Sequence, residues 1–381
     1  MKLIQVYIYT ENKETISSAL IFKKGQVLFP KLRPYLNKVF YCEFDGICST
    51  EFHVLESQII GNQYLAYFLS LSVIVSQTTL LMSSNTLPRL QTDDIKQLLI
   101  PIPPLEIQNQ IVAIMDNAYN TKKQKEAEAQ KLLNSIDDYL LGELGIELPQ
   151  PEENTVTNRI FYRKLSDISG SRFDPNYHSK IGLINSNNAN YQVKYLKDLI
   201  KYSPQYGANE SAIDYFSVND IRYIRITDID ELGNLKKEDW KTAEKIEDKY
   251  LLNTNDLLFA RSGSVGRCYI HKNNDHKSIF AGYLIRFVIN EFVANPYYIF
   301  YYCHSSIYKM WVNTIQRAAV QSNINSEEYK SLIIALPLLE KQNEIAEHIT
   351  KIREQAKQLQ EEAKRELEEA KIEVEKMILG D

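Results

Sequence analysis

Residues 96–111 have the sequence KQLLIPIPPLEIQNQI, and a similar sequence, KSLIIALPLLEKQNEI, occurs at residues 330–345, an offset of 234 positions. In both copies an apolar run containing proline leads into a polar sequence rich in Gln, Asn and Glu. Proline directly before an amphipathic polar stretch is typical of the start of a helix. The sequence therefore predicts two similar domains, each followed by a long charged helix.

The repeat extends well beyond this motif. Val27–Phe29 matches Leu257–Phe259 at an offset of 230, and Asn62–Leu69 matches Asn295–Tyr302 at an offset of 233. The slow drift of the offset indicates short insertions in loops, as expected after an ancient duplication. Such symmetry lets one polypeptide present two similar surfaces to a partner that is itself nearly symmetric, and duplex DNA is the commonest such partner.

The stretch after each motif has the apolar spacing of a coiled coil, with steps of three and four residues. Lys122 and Lys125 interrupt the first stripe. The simplest packing pairs the two helices antiparallel within the chain, which places the domains at opposite ends. The alternative is that each helix dimerises with another chain. The stripe positions are Ile111, Met115, Ala118, Ala129, Leu133, Ile136 and Leu140, and then Ile345, Ile349, Ile352, Ala356, Leu359, Ala363, Leu367, Ala370, Val374 and Met377.

Each domain is predicted to be α+β. Strand-like runs such as Gln26–Phe29, Asp256–Ala260 and Ile279–Val288 are separated by Gly, Asn and Asp, which favours a curved mixed sheet with a few helices. Pro149–Asn154 is a polar, proline-bearing segment that closes the first long helix. The predicted parts are a first domain at 1–100, a spacer helix at 101–148, a linker at 149–157, a second domain at 158–333 and a second spacer helix at 334–381.

The net charge of −5 is unevenly distributed. Residues 1–100 and 151–333 sum to +1 and +2, whereas residues 101–150 and 334–381 each sum to −4. The acidity therefore belongs to the long helices and their flanks. The slightly basic domains are compatible with binding phosphates.

Two features bear on the compartment. The segment Ser57–Pro88 has no charged residue, but its polar content favours a buried helix at 62–69, like the counterpart at 295–302, over a membrane span. The four Cys residues form no C-x-x-C pair. We therefore expect a cytoplasmic protein without zinc or disulfides.

No catalytic motif stands out in the sequence. Asp174–Tyr177 lacks the second proline of the amino-methyltransferase tetrapeptide, and the sequence has neither a Gly-rich turn of the kind that holds S-adenosylmethionine nor a phosphate-binding lysine loop. The six His residues lack metal-ligand spacing. We therefore expect a binding protein that carries no catalytic residue, metal or cofactor of its own.

Two loops have the composition of a DNA contact. Arg261–Arg267 directly follows a strand-like run, and its Gly, Ser and Arg residues suit contacts with phosphate or guanine. Its counterpart, Pro30–Lys38, keeps the basic character and has Pro in place of Gly, as expected of two domains that read different sequences. An ordinary solvated hairpin is the alternative.

A second pair of segments precedes the repeated motifs. Thr314–Asn325 and Thr78–Arg89 are rich in Gln, Asn, Ser and Thr, and each contains an Arg. Amide and guanidinium groups pair with the edges of adenine and guanine. Asn323 and Arg89 hold equivalent positions in the repeat. A polar loop that only caps the long helix is the alternative interpretation.

The doubled motif resembles the specificity subunit of type I restriction-modification enzymes. The segments Arg172–Tyr177, Asp256–Gly263 and Gln321–Asn325 resemble that family as well, so the likeness covers nearly the whole chain. The resemblance implies two target-recognition domains, each reading one half of a bipartite DNA site. It also implies that the two antiparallel helices form an intramolecular coiled coil that sets the distance between the half-sites.

The same resemblance implies partners and site residues. Two methyltransferase subunits that use S-adenosylmethionine to methylate adenine, and motor-nuclease subunits that use ATP, would bind this frame, and the chain itself would hold neither cofactor. Double-stranded DNA would contact loops of both domains. The residues expected there are Lys31, Arg33, Tyr35, Lys38, Ser84, Asn85 and Arg89 in the first domain, and Arg225, Arg261, Ser262, Gly263, Ser264, Arg267, Gln316, Arg317, Gln321 and Asn323 in the second.

Two alternatives follow from the alignment of the first domain. Met1 aligns near Glu231, so the first domain has no counterpart of residues 158–230. We expect either a domain truncated at its start or an inactive remnant whose first domain depends on another chain. A coiled-coil scaffold that binds protein and not DNA is the alternative from a different functional class.

Overall fold

The computed structural model divides the chain into two compact units. The first comprises residues 1–131 and 355–381, and the second comprises residues 132–354. Each unit therefore contains parts of both long helices. The structure describes residues 19–82, 88–149, 153, 155–157, 160–168, 173–175, 177–178, 190–215, 217, 220–272, 276–316 and 322–380.

The first unit combines two small antiparallel sheets with helices. Its strands are β1 (Ala19–Phe22), β2 (Val27–Pro30), β3 (Phe40–Tyr41), β4 (Gly46–Ser49) and β5 (Phe52–Leu55). One sheet has the order β3-β2-β5, and the other pairs β1 with β4. Its helices are α1 (Asn62–Leu69), α2 (Ser72–Leu81), α3 (Thr92–Ile95) and the first part of α4 (Leu105–Leu144).

The second unit contains more strands, arranged around a four-stranded sheet of order β12-β11-β14-β7. Its strands are β6 (Val193–Tyr195), β7 (Gln205–Tyr206), β8 (Ala212–Asp214), β9 (Arg222–Ile224), β10 (Lys241–Ala243), β11 (Leu257–Ala260), β12 (Cys268–Ile270), β13 (Ser278–Phe280), β14 (Leu284–Phe287) and β15 (Ile333–Ala335). Its helices are α5 (Leu165–Ile168), α6 (Pro296–Tyr302), α7 (Ser306–Ile315), α8 (Ser326–Lys330) and the first part of α9 (Leu339–Leu379).

The sequence repeat is visible in strand register. Val27 lies opposite Leu55 in the β2–β5 pair, and Leu257 lies opposite Phe287 in the equivalent β11–β14 pair. The prediction of a single strand at 279–288 is wrong, because the chain turns at Gly282 and forms two strands there, β13 and β14. These two strands then pair with different neighbours, β13 in parallel with β9 and β14 antiparallel with β11.

Helices α1 and α6 are buried, as predicted for the charge-free segment and its counterpart. Helix α2 differs, since only Ile74 and Thr78 are buried along its length. In the part of the chain that the structure describes, no single helix is long and apolar enough to cross a membrane. The helices α1 and α2, which are bent by 69° relative to each other, meet that test together, by length and composition only.

The long helices pack antiparallel in the second unit. Glu143 on α4 pairs with Lys341 on α9 at 2.8 Å, and the rings of Tyr139 and His348 lie 4.2 Å apart. Residue numbers thus increase along α4 in the direction in which they decrease along α9, so the helices are antiparallel, as predicted. The apolar stripe contributes to the core of this unit, because burying such side chains stabilises the fold by about 1.5–3 kcal/mol each. Stripe residues buried there are Leu140, Ile345 and Ile349.

The same arrangement occurs in the first unit. The early part of α4 shares one core with the late part of α9, and Lys125 pairs with Glu362 at 2.9 Å. The helices are therefore antiparallel here as well. Stripe residues in this core are Ile111, Met115, Ala118, Leu367, Ala370 and Val374.

A buried glutamine makes the same two hydrogen bonds in both copies of the repeated motif. Gln342 is completely buried; its Oε1 accepts the N–H of Asn295 at 2.9 Å, and its Nε2 donates to the carbonyl of Pro337 at 2.8 Å. In the first unit Gln108 makes the same two bonds, with the N–H of Gly61 and the carbonyl of Pro103, both at 2.9 Å. Each glutamine therefore ties the start of a long helix to the start of a domain helix.

Replacing Gln342 by Leu should destabilise the second unit by about 2–5 kcal/mol, because two buried backbone groups would lose their partner. Chemical denaturation followed by circular dichroism measures the change. The matched control is Glu347→Gln, which alters an exposed residue one turn further along α9 and should shift stability by less than about 0.5 kcal/mol. Equal effects of the two variants would contradict this role of Gln342.

Candidate nucleic-acid interface

The loop Arg261–Arg267 is shaped by two glycines in the left-handed region. Gly263 has φ +71° and Gly266 has φ +83°, a conformation that side chains with a Cβ rarely adopt. A Cβ on Gly266 would also lie 2.7 Å from a methyl group of Val312 on α7. The hydroxyl of Tyr308 donates to the Gly266 carbonyl at 2.8 Å. The loop is therefore held firmly against α7.

This loop is joined to the second predicted DNA-contacting segment. The carbonyl of Arg261 accepts the N–H of Ile324 at 2.8 Å, and Ser262 forms a β-bridge with Asn323. The Arg261 guanidinium lies 4.9 Å from the ring centre of Tyr206, and its Nε donates to Asn323 Oδ1 at 3.4 Å. Two segments that are sixty residues apart in sequence thus form one surface.

The first unit repeats this construction at equivalent positions. Leu32 forms a β-bridge with Arg89, and the carbonyl of Lys31 accepts the N–H of Leu90 at 2.9 Å. The backbone N–H of Lys31 donates to the Glu51 carbonyl at 2.8 Å. In the second unit the backbone N–H of Arg261, the counterpart of Lys31, donates to the Tyr283 carbonyl at 3.0 Å. Both units therefore bring these two segments together in the same way, and contact of the two segments with DNA stays a prediction.

The basic residues of the first unit divide into two groups. Lys31 donates its ammonium to the Thr50 carbonyl at 2.8 Å, and Arg89 forms an ion pair with Glu51. Arg33 and Tyr35 are exposed, and Lys38 is half-buried. The surface that this loop offers to a ligand is thus carried chiefly by Arg33 and Tyr35.

Two predicted arginines of the second unit are engaged inside the fold. Arg225 donates to Asp228 at 2.7 and 3.0 Å and to Asp239, and these carboxylates raise its pKa further. Arg267 donates Nη1 to the carbonyl of Ile229 at 2.6 Å. Both side chains have a structural role, and their contact with DNA stays a prediction.

A groove of about 410 Å³ lies beside the loop and collects several predicted residues. Ser264, Arg267 and Gln316 line it. Lys309 and Asn313 of α7 line it too, and sequence reasoning missed them. Their spacing places residues 309, 313 and 316 on one helical face, and this pattern could have been recognised once α7 was assigned.

Four predicted residues, Ser84, Asn85, Arg317 and Gln321, lie outside the described residues. Among the residues that are described, no group of three or more His, Cys, Asp or Glu could hold a metal ion.

One buried histidine lines the groove. His304 donates Nδ1 to the carbonyl of Phe300 at 2.7 Å, and burial together with the nearby Arg353 and Lys309 lowers its pKa to about 4. Asp230 opposes this shift only weakly. The histidine is therefore neutral at physiological pH, and the charged side chains that line the groove are Glu231, Arg267 and Lys309.

The stability of the second unit should fall as the pH drops from 6.5 towards 4, because His304 takes up its proton more readily in the unfolded chain. Urea unfolding at a series of pH values between 7 and 4.5 measures this effect. His304→Gln should remove that part of the pH dependence, whereas His348→Gln, at an exposed position of α9, should retain it. A wild-type pH profile in the His304 variant would contradict the assignment.

Two similar α+β domains on antiparallel helices, each with a pair of joined polar loops, define a protein built to present two related surfaces. A family model for the type I restriction modification DNA specificity domain matches residues 5–134 and 188–369. The chain belongs to this family.

Two curated relatives come from Escherichia coli. The type I restriction enzyme EcoDI specificity subunit is 26% identical over 117 residues, which cover 31% of this chain and 26% of that protein. The EcoKI specificity subunit is 22% identical over 325 residues, 82% of this chain and 62% of that protein. The chain thus spans about three fifths of the EcoKI subunit.

A solved structure reported as the structural basis of complex assembly and conformational transition of the type I R-M system has the same fold. It covers 95% of this chain and 83% of its own, with a TM-score of 0.54 and 17% identity. The mixed α+β fold with two sheet-rich domains and two long helices, expected from the sequence, is confirmed.

Proposed function

We propose that this chain is the DNA-recognition subunit of a restriction-modification complex, and that its two domains read the two halves of a bipartite site. The observation that carries the proposal is the joined loop pair, present at equivalent positions in both units. The Ser262–Asn323 bridge of one unit corresponds to the Leu32–Arg89 bridge of the other. Polar side chains lie at both bridges, Ser262 and Asn323 at one and Arg89 at the other.

The side chains on this shared backbone differ between the units. The second unit presents a Gly-Ser-Arg loop stiffened by Gly263 and Gly266, whereas the first presents Arg33 and Tyr35 around a short turn that begins at Pro34. Base edges are read by side chains, while backbone amides and charge mainly hold phosphates. The two units share the same backbone bridges but carry different loop side chains. This combination suits recognition of two different half-sites, so that the whole DNA target is asymmetric.

The partners follow from the same proposal. Methyltransferase subunits, two per chain, would bind to the frame of long helices and supply S-adenosylmethionine-dependent methylation of adenine. Restriction and translocase subunits would supply ATP-driven cleavage. The chain itself has a recognition role without catalysis and holds neither cofactor.

Arg261→Ala should relax the requirement for one or two bases in a single half-site, because one arginine pairing with a base edge contributes about 1–3 kcal/mol of discrimination. Arg261→Lys should relax it as well, since a lysine keeps the charge but loses the fork geometry. Genome-wide sequencing of methylated adenine, in cells that express the chain with its methyltransferase, measures both half-sites together.

The half-site read by the first unit serves as the internal control and should not change. If Arg261→Ala weakens all sites equally and Arg261→Lys restores them, Arg261 contacts phosphate and not a base. If the wild-type chain directs no methylation and binds no DNA beside the methyltransferase, the chain is a scaffold or an inactive remnant.

A further inference from the structure

One ion cluster in the first unit interrupts the apolar stripe between the long helices. Lys125 stands at a stripe position of α4, yet its ammonium donates to Glu362 Oε2 at 2.9 Å and to Glu366 Oε1 at 2.7 Å on α9. The lysine side chain is only 22% exposed, and the glutamates are 26% and 35% exposed. Removing one partner from such a cluster leaves a partly buried charge unpaired, which is costly.

The groups of this cluster support one another electrostatically. Hydrogen bonds to the two carboxylates raise the pKa of Lys125, and the ammonium in turn lowers the pKa of Glu362. Gln358 also donates to Glu362, at 2.9 Å. Lys125 and Glu362 are therefore both charged at neutral pH.

The two copies of the repeat differ at this cluster. At the offset of 234 residues, the counterpart of Lys125 is Leu359. The counterpart of Glu362 is Glu128, but the counterpart of Glu366 is Leu132, which carries no charge. Pairing α9 with a second α9 would put Leu359 where the lysine stands. Pairing α4 with a second α4 would leave the lysine facing one acid in place of two. The complete cluster forms when α4 meets α9.

We propose that the Lys125–Glu362–Glu366 cluster selects the pairing of α4 with α9 and disfavours pairing of either helix with its own copy in a second molecule. The apolar stripes cannot make this selection, because the repeat gives both helices the same spacing. One polar residue at a stripe position is known to specify partner and register in coiled coils. The effect on half-site spacing rests on the proposed function, but the pairing itself does not.

The variant Lys125→Leu tests the proposal in the full chain, because it removes the cation and makes α4 more like α9. We expect a folded protein by circular dichroism. We expect its association constant for dimer formation to be about tenfold above that of the wild type. Tenfold is the factor expected for losing about one charge-assisted hydrogen bond. Sedimentation velocity over a concentration series measures this constant.

The matched control is Lys122→Leu. Lys122 also interrupts the stripe and is 25% exposed, but it pairs with Glu126 on its own helix, at 3.6 Å. This variant gains the same apolar side chain and keeps the cluster between the helices. It should therefore stay as monomeric as the wild type.

A charge swap completes the test. Lys125→Glu alone should raise the dimeric fraction, and adding Glu362→Lys and Glu366→Lys should return it to the wild-type level. The proposal is overturned by a dimeric wild type, by a monomeric Lys125→Leu chain, by equal dimerisation of both leucine variants, or by a swap that does not restore the monomer. If Lys125→Leu does not fold, the swap decides.

These measurements need no DNA and no partner subunit. A wild-type chain that directs no methylation, yet shows the expected pairing behaviour, would therefore sink the proposed function and leave this inference standing. Normal methylation with unchanged oligomeric state in every variant would do the reverse.

Discussion

The buried glutamine at the start of each long helix is the constraint on which the rest of the structure depends. A polar side chain in that position must satisfy both its carbonyl and its amide, because no water reaches it to replace a lost bond. Gln342 and Gln108 do so by binding two backbone segments at once. The direction in which each long helix leaves its domain is thereby fixed, and with it the face that the apolar stripe presents to the other helix.

The duplication separates what has to stay constant from what is free to change. Backbone bonds are retained, as the bridges at Leu32–Arg89 and Ser262–Asn323 show. Side chains that project from the same frame differ, since a glycine-rich arginine loop in one unit corresponds to a proline-bearing loop in the other. Under the proposed function, such a division lets one framework support a range of recognised sequences, because loop residues can be exchanged without disturbing the bonds that hold the loops together.

Periodic features could be predicted from the sequence, and individual partnerships could not. The coiled-coil stripe, the burial of α1 and α6 and the equivalence of the two loops follow from spacing and repetition. The pairing of Arg225 with Asp239 was missed, because the two residues come together only through the tertiary fold. Lys309 and Asn313 were missed because their importance depends on a groove whose other wall is the loop at 264–267. Contacts across large sequence separations depend on packing geometry, which composition and periodicity do not encode.

The division of the long helices between the units has a consequence for synthesis on the ribosome. The second unit is one continuous segment, residues 132–354, whereas the core of the first unit includes Leu367, Ala370 and Val374. At the usual pace of about 5–20 residues per second, the first domain is synthesised early and its apolar face stays uncovered for roughly 10–50 seconds. The first unit is therefore completed after the second, although its synthesis begins first.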